Sequence, residues 1–149
     1  MATTRALAER LIGTICERAF AELARERGEL APMALTMDGD DRIGLVSVYT
    51  GDAYPDPDMA LADLMATLKR CVERDRLESA ALAHYERTVA TAGSAALDAV
   101  CVRFETRRAA PLRIYFPYRI TRKLRGLSPI ERLPSMTLPG TRAIFGRGD

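Results

Sequence analysis

Residues 97–120 read LDAVCVRFETRRAAPLRIYFPYRI, and this stretch decides the fold. In its first half, 97–105, Val100, Val102 and Phe104 fall on one face of an extended chain, because successive side chains of a strand point to opposite sides. In the second half, 112–120, Leu112, Ile114, Phe116, Tyr118 and Ile120 alternate with Arg113, Tyr115, Pro117 and Arg119. One face of that run is read as turned inward and the other as meeting water. The short link between the halves makes them antiparallel partners. Pro117 carries no N–H for a ladder and marks an edge or the end of pairing.

Working back toward the N-terminus, Thr91-Ala92-Gly93-Ser94 punctuates the chain. Segment 78–90 fits two periods: Ala83, Tyr85, Arg87 and Val89 alternate, whereas Leu77, Ala81, Tyr85 and Val89 also match helical spacing. Strand is the favoured reading. Before it, Leu61, Leu64, Met65, Leu68 and Val72 line one helix face, with Asp56 placed as N-cap, Pro57 as first helical residue and an end near Asp75. Segments 33–37 and 43–50 have strand composition and flank Asp38-Gly39-Asp40-Asp41-Arg42, whose Asp-Gly pair favours the positive backbone angles of a hairpin turn. Over 5–27, Leu7, Leu11, Ile12, Ile15, Cys16, Ala19, Phe20 and Leu23 form the stripe of an amphipathic helix. Thr3 or Thr4 can cap its start, Gly28 can end it, and Pro32 forbids its continuation.

Beyond Ile120, Pro129, Pro134 and Pro139 with Gly126 and Gly140 predict an irregular tail in which Ala143-Ile144-Phe145 docks as a short strand and 146–149 frays. The expected class is α+β, in the order α-β-β-α-β-β-β, with one antiparallel sheet and helices packed on a face. Residues 1–120 form the single domain. Residues 121–149 are a basic, proline-containing tail packed on the domain or on a partner.

That order resembles roadblock and profilin-like domains by topology alone. Pro32-Met33-Ala34 leading to Asp38-Gly39, the Asp56-Pro57 helix start, the strand 98–105 and Pro117-Tyr118 also resemble a family of small bacterial α+β proteins. That family has no assigned activity, so the resemblance, spread over about residues 30–120, implies a fold and carries over no site residue.

With 48% hydrophobic and 28% charged residues, the composition is that of a globular chain and excludes disordered and fibrous classes. Cys16, Cys71 and Cys101 are widely spaced and odd in number, which is neither a disulfide framework nor a metal pattern; each is read as core packing. No signal-peptide core and no apolar run near the ~20 residues of a membrane span are present. A cytoplasmic protein without a membrane partner is expected. The charge is segregated: residues 1–102 hold 11 Lys/Arg against 17 Asp/Glu, and residues 103–149 hold 11 against 3. Such a molecule is dipolar, with a basic end that attracts anions.

The common nucleotide, zinc and hydrolase signatures are absent. His84 is the one histidine; it can act as a base if a carboxylate orients it, and Glu86 shares its face on a strand. Asp38, Asp40 and Asp41 with Asp52, Asp56 and Asp58 are explained by turns and caps, so no metal is assigned. The strongest hint is the basic cluster Arg107, Arg108, Arg113, Arg119, Arg122, Lys123 and Arg125, with Tyr115 beside Arg113 and Arg119. Guanidinium groups next to an aromatic ring can hold phosphates and stack a base. Three classes follow. The first is a non-enzymatic, self-associating protein-interaction module, a homo-oligomer without cofactor. The second is an RNA or single-stranded DNA binder using that cluster. The third is a small hydrolase or transferase using His84.

Overall fold

The computed structural model describes residues 4–25, 30–47, 56–88, 96–120 and 130–145. Two helices, α1 (Thr4–Arg25) and α2 (Pro57–Asp75), accompany seven strands: β1 (Met33–Asp38), β2 (Ile43–Val46), β3 (Leu77–Thr88), β4 (Leu97–Thr106), β5 (Leu112–Ile120), β6 (Ile130–Arg132) and β7 (Met136–Pro139). All pairings are antiparallel, in the order β2-β1-β3-β4-β5-β6, with β7 also on β5. The α+β class and the element order are those read from the sequence. No helix among the described residues is long and apolar enough to cross a membrane.

Local chemistry sets the boundaries. Asp56 caps α2 by accepting from the N–H of Asp58 at 2.8 Å and of Met59 at 3.3 Å, and Pro57 follows as the first helical residue. Arg76, left-handed at φ 53°, ends α2 and delivers the chain straight into β3. In the β1–β2 turn the positive angle falls on Asp41, φ 61°, and not on the Asp-Gly pair. Asp41 N–H donates to the Asp38 carbonyl while the Asp38 carboxylate accepts from Asp40 and Arg42. This is a type I turn closed by a left-handed residue, the second family of hairpin connections.

The helices take opposite faces of the sheet instead of sharing one. Leu11, Ile15, Ala19, Phe20 and Leu23 of α1 pack on Leu35, Met37, Ala81, Ala83, Val100, Val102, Ile114 and Tyr118. Leu64, Leu68, Cys71 and Val72 of α2 pack on Ala34, Ala80 and Leu82. Strand β3 is thus covered on both sides, and its fully buried Ala80, Ala81 and Ala83 let each helix approach closely.

The described tail is more regular than proline and glycine content predicts. Strand β6 pairs with Tyr118, Arg119 and Ile120, and β7 with Leu112 to Tyr115, so the two lie end to end along the outer edge of β5. Proline suits such an edge, where one side of the strand needs no ladder donor. Ala143-Ile144-Phe145, expected as a strand, is irregular. Ile144 and Phe145 nonetheless enter the α2 core, because the buried Glu105 carboxylate accepts from the N–H groups of Ala143 at 2.9 Å, Ile144 at 2.8 Å and Phe145 at 3.4 Å. Carboxylate oxygens replace the ladder partners that those amides would otherwise need. The expected caps at Thr3 and Gly28 and the fraying end at 146–149 lie outside the described residues, as does 48–50 of the second expected strand.

Candidate functional site

Helix α2 contacts β1 and β3, so on its side of the sheet β4 and β5 carry a polar strip instead of helix-packed core. The register builds the strip. His84 of β3 pairs with Cys101 of β4, and Cys101 with Tyr115 of β5; two residues along, Arg103 pairs with Arg113. Glu86 shares the His84 face two residues further on. Titratable groups from the three central strands therefore meet on one face, which their distances in sequence conceal.

The groups are closely connected. His84, 6% exposed, sets Nδ1 at 3.2 Å from the Tyr85 carbonyl, while Nε2 is buried without a partner among the described residues. Burial first, and then the neighbouring Arg103 charge, hold His84 below its ordinary 6.5. The Tyr115 hydroxyl donates to Glu86 Oε1 at 3.3 Å. Burial above all, with the Glu86 charge adding, pushes the Cys101 thiol up to about 12. In the metal-free chain the thiol is therefore held protonated at neutral pH. The nearest ligating atoms of His84, Glu86 and Cys101 all lie within 4.8 Å of one another.

A cleft of about 230 Å³ opens beside this strip, lined among others by Pro32, Pro57, Asp58, His84, Glu86 and Arg103. Arg103 and Arg113 face each other across β4 and β5 as half-buried like charges. The Nε–H of each is buried without an acceptor among the described residues.

The described arginines of the basic cluster read from the sequence stand in different surroundings. Arg107 donates to the carbonyls of Leu77 at 2.8 Å and Val72 at 3.4 Å, and its guanidinium lies over the Phe145 ring at 5.4 Å, so it closes the end of α2. Arg108, in the β4–β5 connection, and Arg119, near the far end of β5, are exposed and about 20 Å or more apart along an extended chain. Tyr115 is buried and Arg113 half-buried, so the face that was read as meeting water is covered there. Arg122, Lys123 and Arg125 lie outside the described residues. Sequence reasoning missed Arg103 and the proximity of His84 to Cys101. The available signal was parity: with Val100, Val102 and Phe104 inward on the α1 face, Cys101 and Arg103 must share the face of Arg113 and Tyr115.

The depressed His84 value has a consequence for stability. Below pH 6.5 the unfolded chain binds a proton at this position that the folded chain resists, so stability is full above pH 6.5 and declines as pH falls through that value. Urea melts across this range should show the decline in the native chain and a flatter profile in His84→Gln. An equal slope in both would remove His84 as the source.

Comparison of the chain with protein families, with curated proteins and with solved structures finds no match.

Proposed function

We propose that the chain is a binding module for a small anion, a carboxylate or phosphate, held in the cleft by Arg103 with Arg113 behind it. The observation that carries this reading is the facing pair of half-buried arginines, each with an unpartnered Nε–H. Like charges directly opposite on neighbouring strands repel, and a buried donor without an acceptor is itself unfavourable. Two carboxylates, Asp58 and Glu86, also line the cleft, and Glu86 already accepts from Tyr115. An anion from solution relieves both penalties with charge-assisted hydrogen bonds. The first turn of α2 borders the cleft, but Asp56 already caps it, so guanidinium groups are the donors.

The size and the surroundings favour a small ligand over a strand of nucleic acid or a second copy. A cleft of about 230 Å³ is below the range of drug-sized pockets. Of the described tail cations, Arg132 is paired with Glu17 at 2.7 Å, and Arg142 donates to the carbonyls of Thr106 at 2.9 Å and Ala109 at 2.8 Å. Both are engaged within their own chain.

The test is calorimetric titration with inorganic phosphate and with succinate, at low ionic strength and with a metal chelator present. Arg103→Ala should weaken binding about 10–100-fold, the equivalent of one charge-assisted contact, and Arg108→Ala should leave it unchanged. Equal losses in both variants, or no binding by the native chain, contradict the proposal.

A further inference from the structure

We infer that His84, Glu86 and Cys101 form a binding site for a divalent transition-metal cation of borderline softness, with zinc as the type. The site goes beyond the anion reading and rests on other atoms.

The donor set comes first. Imidazole nitrogen, carboxylate oxygen and thiolate sulfur are the three ligand types that zinc takes in proteins, whereas calcium and magnesium select oxygen alone. Around a tetrahedral ion with bonds of about 2.0–2.3 Å, ligand atoms lie about 3.3–3.8 Å apart. The three groups lie within 4.8 Å of one another, so side-chain adjustments of about an ångström close the site.

Two further observations point to a ligand. His84 donates through Nδ1–H to the Tyr85 carbonyl, which leaves the Nε2 lone pair free, and Nε2 is a buried polar atom with no partner among the described residues. A backbone carbonyl on one ring nitrogen is the usual way a metal-binding histidine is oriented. Glu86 is steadied in the same manner by the Tyr115 hydroxyl at 3.3 Å. His84 and Glu86 line the cleft, which supplies an entry path, with Cys101 buried behind them.

Binding is a ligand exchange without redox change. The Cys101 S–H bond breaks, its proton leaves to solvent, and the sulfur lone pair binds the ion; His84 and Glu86 each donate a lone pair. Arg103 and Arg113 oppose an added positive charge. A set that includes two anionic ligands, thiolate and carboxylate, offsets this better than neutral donors do.

Cobalt(II) titration of the reduced full chain tests the site. Native protein should bind one equivalent and show a thiolate-to-cobalt charge-transfer band. Cys101→Ser should lose the band, while Cys16→Ser and Cys71→Ser keep it. His84→Ala and Glu86→Gln should each weaken cobalt binding at least about tenfold, and Arg103→Ala should not weaken it, which separates this site from the anion site. Absence of the band in native protein, its loss in Cys71→Ser in place of Cys101→Ser, or His84→Ala titrating like the native chain would overturn the inference.

Discussion

Glu105→Ala is expected to lower the unfolding free energy by about 3–5 kcal/mol, because the side chain leaves three backbone donors without an acceptor. Glu105 is 2% exposed on β4, opposite Ala80, and its two oxygens take the N–H groups of Ala143, Ile144 and Phe145. Those bonds hold Ile144 and Phe145 against Leu64, Leu68 and Leu82. Alanine therefore removes hydrogen bonds and loosens apolar packing together. A loss of that size moves the thermal midpoint down by about 10 °C in a chain of this length. Glu105→Gln keeps one carbonyl oxygen but turns an amide N–H₂ toward donors, so about half the loss is expected. Urea melts measure both. A change within about 0.5 kcal/mol for alanine, the range of an ordinary surface substitution, would mean that the carboxylate does not anchor the tail.

Phe20→Ala is the second large effect, with an expected loss of about 3–5 kcal/mol. The ring is 4% exposed where α1 meets β5 and β6. It stands edge-on to Tyr118 with centroids 5.8 Å apart, and the Arg132 guanidinium lies over it at 4.0 Å. Arg132 also holds Glu17 through two bonds, at 2.7 and 3.1 Å. The expected loss sits in the ring and not in the ion pair. Arg132→Ala should remove only about 1 kcal/mol, since the pair is open to water and its cation–π contact is of that order. Equal losses for the two variants would show that the ion pair, and not the apolar ring, fixes β6 to α1.

Most of the fold was legible because each local signal agreed with its neighbours. Asp56-Pro57 marks the start of α2 to the residue, and alternation over 112–120 marks β5. Strand β3 was harder, since helices cover both its faces and its alanines suit either period. The two tail strands were hidden by prolines that an edge position tolerates. The placement of α1 and α2 on opposite faces follows from which parity of β1 and β3 each helix covers, and helix periodicity alone does not carry that information.

The site was less legible than the fold, for a physical reason. Its members come from β3, β4 and β5, and only the register of those strands sets His84 beside Cys101 and Arg103 beside Arg113. Counting arginines gave a basic C-terminal third and no single location within it. Burial then sorts them: Arg107 closes a helix, Arg108 and Arg119 stand in water, and Arg103 and Arg113 are the pair whose Nε–H groups lack acceptors among the described residues. Repulsion between that pair is what a ligand can relieve.

The most direct measurement follows the arginine Nε–H resonances by nitrogen–proton NMR while inorganic phosphate is added. The Arg103 signal should shift along a saturable curve, with Arg113 moving less and the exposed Arg108 and Arg119 signals staying still. A linear drift shared by all four, or a saturable shift confined to Arg108 and Arg119, would contradict an anion site on the α2 face.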